Sequence, residues 1–218
     1  MATIVVPQPS ESEHNGRGIS HAAVAAALAV WFIVIASLAA SGTFVNTPGT
    51  PPLPIAVAVT APLLFFALAM RLSQSFRTYV LALDLRLVAS IQAWRWAGFG
   101  FLSLYAHGIL PAIFALPAGL GDMLVGFLAP WIVLRLAREP GFAGSRAFVR
   151  WNLLGITDLV IAVGIGTVSA LLATGTPGEI GTAPMATLPL ILIPGFLVPI
   201  FLMLHVTALL QARRLSPA

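Results

Sequence analysis

The sequence predicts an all-α polytopic integral membrane protein, a bundle of six transmembrane helices with a short interfacial helix before the third span. Three observations carry this. Of 218 residues, 59% are hydrophobic and only 8% charged, against roughly 25% charged in an ordinary soluble domain. Mean hydropathy is +0.98, more apolar surface than a soluble core of this size can hide. Third, all 11 basic residues are arginines and fall between alternate apolar runs. A soluble enzyme and a disordered chain are both excluded on these grounds.

The elements follow in order. Residues 1–18 are polar, with two prolines and two glycines, and read as a disordered cytoplasmic tail. Ile19 to Ser41 carries no formal charge and forms the first span. It exceeds the roughly 7–15-residue core of a signal peptide and follows a region with two glutamates, so an uncleaved anchor is expected. Residues 42–52 are an uncharged Pro/Gly/Thr loop. Leu53 to Met70 is the second span, kinked at Pro62. In Arg71 to Arg86, Leu72, Phe76, Val80 and Leu83 recur at helical spacing, as in a short interfacial helix.

Trp96 to Leu110 is free of formal charge, but 15 residues reach only about 22 Å, short of the roughly 30 Å hydrocarbon core. The third span must extend back toward Leu87 and take Arg95 with it. Residues 109–117 are expected to form a compact turn bounded by two prolines, and the fourth span to run from Pro117 to Leu136. Polar Gly/Pro loops at 137–147 and 174–187 flank a fifth span, Phe148 to Ala173. The sixth covers Leu188 to Leu210, interrupted by Pro194 and Pro199. The domain layout is thus a tail over 1–18, one six-span domain over 19–212 and a C-terminal tail over 213–218.

Arginine placement tests the count. Arg17, the group from Arg71 to Arg86, the group from Arg135 to Arg150, and Arg213 with Arg214 all lie on one side of a six-span chain. The other three loops contain none. The positive-inside rule then places both termini in the cytoplasm, and the composition suggests a bacterial inner membrane. The arginines are too dispersed for a nucleic-acid surface, so no nucleic-acid partner is expected. The lipid bilayer is the expected partner, with a homodimer or a partner membrane subunit as further expectations.

Ionisable residues inside apolar spans cost about 2.5–3.5 kcal/mol each at the helix centre and are functional candidates. Counted from the Arg-bearing ends, Arg95, Asp158 and His205 fall about 9–13 Å deep. They form an inner layer able to hold a proton, an anion or a substrate head group, with His titrating near neutral pH. The competing reading is a structural Arg95–Asp158 pair with His205 bonded to a backbone carbonyl. In that reading Asp158→Asn alone is more damaging than its combination with Arg95→Gln. His107 and Asp122 are expected near the outer ends of spans three and four as a secondary polar layer. The plainer reading of Asp122 is an acid favoured by a helix start.

No cofactor and no metal are predicted. His107 and His205 lie at different depths, so a haem held between them is not expected. No metalloprotease, nucleophile-elbow or P-loop motif is present. Gly164 and Gly166, with Ala162 and Ala170, make a small-residue face on the fifth span suited to close helix packing. The residues leave three functional readings open. The first is a small permease or ion-coupled transporter, favoured by intramembrane charge and proline-broken spans. The second is a non-catalytic membrane subunit or scaffold. The third is a membrane-embedded lipid or quinone enzyme or redox subunit. The balance leans away from an enzyme.

Overall fold

The computed structural model describes residues 19–215, so the expectation for the 1–18 tail lies outside it. The described residues form eight α-helices joined by short 3-10 and π segments, with no strand. Helix α1 is His21–Ala40, started by the Ser20 hydroxyl accepting from the Ala23 amide. Helix α2 is Leu53–Leu72 with Pro62 inside it. Helix α3, Gln74–Leu81, is the short amphipathic segment, capped by Ser73. Helix α6 is Ala112–Arg138, α7 is Arg146–Leu172 and α8 is Val198–Leu215.

Five helices are long and apolar enough to cross a membrane, α8 being counted with the π turn before it. The expected third span is not one of them. It is a composite of α4 (Leu85–Ile91), a 3-10 segment (Gln92–Gly98) and α5 (Phe99–Ala106). Each piece alone is short. Laid end to end, with the 3-10 rise of about 2.0 Å per residue, the three pieces sum to about 36 Å.

Two boundaries differ from expectation. The turn foreseen at 109–117 is much shorter, because α6 begins at Ala112 after an extended Pro111. Starting there buries Phe114 and Ala115 against Phe101 and Leu110. Pro117 therefore sits inside the helix rather than at its first turn. The expected sixth span begins late: Leu188 to Leu192 is largely turn, and the π segment Ile193–Leu197 carries Pro194 before α8 starts. At the other end α8 runs through Arg213 and Arg214 to Leu215, into the stretch expected to be tail.

Helix α6 lies at the centre, packed on the 3-10 segment, α4, α5 and α7. Its Gly119, Asp122 and Gly126 share one face at helical spacing. A Cβ on Gly126 would lie 2.5 Å from the Trp96 amide nitrogen, and one on Gly119 would lie 2.9 Å from the Gly98 carbonyl. The 3-10 backbone thus rests on α6 backbone. Helices α1 and α2 are peripheral, with Val30, Ile33, Val57, Leu64 and Phe65 exposed. Such a surface is compatible with a membrane location.

The loops sort by charge. At one end the Arg-free loops meet: Pro48 lies against Gly175, and Ile180 approaches Gly108. At the other end Gln211 of α8 donates to the carbonyls of Val80 and Leu83, and the Phe142–Gly144 turn packs on α8.

Gly126→Ala should lower stability by about 1–3 kcal/mol, since the obstructing atoms are backbone and cannot step aside. Gly164→Ala should be close to neutral, because nothing lies within 4 Å of where its added methyl would stand. Thermal melts of the two variants in detergent check this; equal loss in both would mean the 3-10 segment does not rest on α6.

Candidate functional site

The 3-10 segment turns Gln92 and Arg95 inward, three residues apart and therefore eclipsed. Both are 1% exposed. The Arg95 guanidinium is satisfied from three helices. Its Nε donates to Asp122 Oδ1 of α6 at 2.7 Å. Its Nη2 donates to Asp158 Oδ2 of α7. Its Nη1 donates to the Gly155 carbonyl at 3.3 Å and meets His205 Nε2 of α8 at 3.1 Å. An arginine has only donors to offer, so Nε2 must be the unprotonated nitrogen of His205. Its Nδ1 then carries the hydrogen and donates to Asn152 Oδ1 at 2.9 Å. This fixes His205 as a neutral imidazole in one tautomer.

Glycines make room for the cluster. A Cβ on Gly155 would overlap His205 and come within 2.9 Å of Arg95 Nη1, and one on Gly121 would overlap the Asp158 carboxylate. Trp151 stacks edge-on against His205 with ring centroids 5.4 Å apart, and the Arg95 guanidinium lies 6.0 Å from the Phe201 ring centroid. Gln92 donates from Nε2 to the Phe201 carbonyl, while its buried Oε1 has no partner among the described residues.

The structure thus brings Arg95, Asp158 and His205 together, and adds Asp122. Asp122 does not pair with His107 in an outer layer. The early start of α6 carries it ten residues into the helix, about 15 Å along the axis, where it reaches Arg95. His107 instead ends α5, exposed, with Nδ1 donating to the Ser103 carbonyl at 2.8 Å. Asn152, Gly121 and Gln92 are members of the site that the sequence pattern did not single out. The spacing Asn152, Gly155, Asp158 marks one face of α7 and was the available signal for the first.

A cavity of about 240 Å³ leads to this cluster. Its mouth is formed by the Arg-free loops at Asn46, Thr176 and Glu179, its walls by Phe101, Phe114 and α7, and Asp122 lies on its lining. The Ala162, Gly166 and Ala170 face belongs to that wall. Rather than seating another helix along its length, this face opens onto space. Asp122 and Asp158 keep 16% and 11% of their side chains exposed, while Arg95 keeps none. No group of three or more His, Cys, Asp or Glu suited to a metal ion occurs among the described residues.

At the mouth, Glu179 accepts from the Thr174 and Gly175 amides and the Thr174 hydroxyl. These bonds, the Thr174 amide foremost, hold its carboxyl below the usual carboxylate range. A depressed pKa stabilises the loop above the ordinary value and loses that contribution as pH falls through the folded one. Hydrogen exchange at the Thr174 and Gly175 amides should therefore stay protected down to pH values below the ordinary glutamate range. Glu179→Gln should remove this pH dependence, and protection unchanged by acid in the native chain would refute the cap.

The charge balance also revises the mutational expectation. With Asp122 as a second partner, Asp158→Asn leaves a one-to-one Asp122–Arg95 pair. Arg95→Gln leaves two carboxylates facing each other without a cation. Arg95→Gln should cost about 3–5 kcal/mol, the usual penalty for breaking a buried pair, and either single Asp→Asn change much less. Detergent melts of the three variants check the order; an Asp158→Asn loss as large as that of Arg95→Gln would contradict it.

A search of curated proteins finds no match, and no solved structure matches either. A family model matches residues 52–213, a stretch that contains Arg95, Asp122, Asp158 and His205. The chain belongs to that family, described as a domain of unknown function, DUF8737.

Proposed function

We propose that the chain is a six-span membrane protein with both termini in the cytoplasm, acting as a small ion-coupled permease of a bacterial inner membrane. The composite of α4, the 3-10 segment and α5 serves as the third span, its stretched geometry giving it the reach to cross. The Arg-rich end then faces the cytoplasm, and the cavity opens outward.

The observation that carries the reading is the cavity running from the Arg-free loops to Asp122. At its end stand one guanidinium, two carboxylates and a neutral imidazole. With both acids ionised the cluster holds one negative charge in excess, in surroundings where an unbalanced charge is heavily penalised. One proton or one monovalent cation removes that excess. A site that prefers a single added positive charge, reached from one side, is what ion coupling requires. The breaks in the backbone beside it, the 3-10 segment and the π turn at Ile193–Leu197, supply the discontinuous helices on which alternating access turns. The small-residue face lining the cavity favours this reading over a scaffold, since it is used to keep space open.

Proteoliposomes adsorbed on a solid-supported electrode test the proposal. A step to lower external pH should produce a transient displacement current as protons enter the cavity and reach the cluster. Asp122→Asn should abolish or strongly reduce it. A native protein giving no more current than empty liposomes would overturn the proton site.

A further inference from the structure

The cavity also carries information about what it takes. Its polar groups sit at two poles. Glu179 is at the mouth, with its oxygens committed to the Thr174 and Gly175 amides. Asp122 is at the deep end, with Oδ1 bonded to Arg95 and no partner for Oδ2 among the described residues. Among the described residues no arginine or histidine lines the space. Between the poles the wall is mostly apolar, the hydroxyls of Thr167 and Thr182 being spent on the Val163 and Gly166 carbonyls, and two rings, Phe101 and Phe114, meet edge to face with centroids 5.6 Å apart. Phe114, Ala118 and Asp122 follow at i, i+4 and i+8 on α6, so ring and carboxylate share one face about 12 Å apart. The volume of about 240 Å³ equals about eight waters at roughly 30 Å³ each.

From this geometry we infer that the cavity binds small organic ammonium ions with an apolar body, the ammonium on Asp122 and the body against Phe101 and Phe114, in exchange for a proton. The inference rests on the permease reading above and names its substrate class. An anion is excluded by charge at both poles. A neutral apolar molecule would leave the excess negative charge of the cluster unanswered. An ammonium ion supplies the missing positive charge and donors for Asp122 Oδ2. Because the cluster has room for one added charge, ammonium and proton compete for it. That competition is the coupling: substrate arriving at Asp122 displaces the proton, and reprotonation releases the substrate. The groups that bear on Asp122 are Arg95 from the 3-10 segment, Asp158 from α7 and, through Arg95, His205 from α8. Glu179 is the one other charge on the cavity lining among the described residues.

Three probes of one skeleton separate the possibilities: phenethylammonium, phenylacetate and 2-phenylethanol, titrated calorimetrically into the full chain in nanodiscs against empty nanodiscs. Phenethylammonium should bind and the other two should not. Lowering the pH by one unit should weaken its apparent affinity by up to about tenfold wherever the cluster holds a proton. Asp122→Asn, which keeps the Arg95–Asp158 pair balanced, should lose binding, and Phe101→Leu should weaken it by about threefold. If the alcohol or the acid binds as tightly as the amine, or amine affinity ignores pH, the inference is overturned. The pH-step current of the native protein then tells which reading has failed. Current without selective amine binding leaves the ion-coupled reading standing and removes the substrate class. Neither current nor amine binding removes both.

Discussion

The architecture depends on satisfying one guanidinium in an apolar interior. Arg95 is as buried as any leucine of the core, yet carries a full charge and five N–H donors. Four acceptors answer it: two carboxylates, a carbonyl and an imidazole, delivered by α6, α7 and α8. Each helix approaches because a glycine is present where a side chain would block it, at Gly119 and Gly126 against the 3-10 backbone and at Gly155 beneath His205. The 3-10 segment belongs to the same solution. Its three-residue repeat stacks Gln92 and Arg95 on one side, so two polar side chains turn inward while Trp94 and Trp96 stay exposed.

Much of this was legible in the sequence, and the reasons for the exceptions are physical. Apolar run lengths gave the helices of α1, α2 and α7 to within about two residues, because long uncharged stretches leave no competing structure. The common depth of Arg95, Asp158 and His205 is legible because each lies within nine residues of Arg86, Arg150 or Gln211 at the Arg-rich end of its apolar run. Asp122 lies deeper than a helix start at Pro117 implies, because α6 begins at Ala112. Proline is favoured in a first helical turn, but tertiary burial of Phe114 and Ala115 extended the helix by a further turn and moved the acid inward. The break in the expected third span has no local signal: Gln92–Gly98 contains no proline, and its backbone rests on α6.

The small-residue face on α7 shows why pattern and role separate. Ala162, Gly166 and Ala170 have the spacing that lets two helices meet closely. Here they line the cavity instead: Ala162 packs on the cluster of Phe101 and Phe114, a ring of Phe114 comes 3.3 Å from where a Cβ on Gly166 would stand, and the rest of the face borders open space. The reason lies in the sixth apolar run. That run does not enter as a continuous helix from Leu188. The turn at Leu188–Leu192 and the π segment at Ile193–Leu197 hold the chain to one side instead, with Pro194 and Ile193 on the cavity wall.

Cavity and charge cluster are therefore two results of the same distribution of backbone irregularity. On the Arg-rich side of the cluster the helices are regular and close-packed: Val88, Val125, Ala129, Phe148, Trp151 and Ala208 form one continuous core. On the Arg-free side the late start of α8 leaves room that small residues do not fill. Arg95 sits at the boundary between the two, sealed from the packed side and screened from the cavity by Asp122. A molecule entering from the Arg-free end consequently meets the carboxylate before the guanidinium. An arginine alone at the same depth would invite an anion, whereas an arginine outnumbered by its carboxylates leaves the cluster net negative, which is what the proposed cation site rests on.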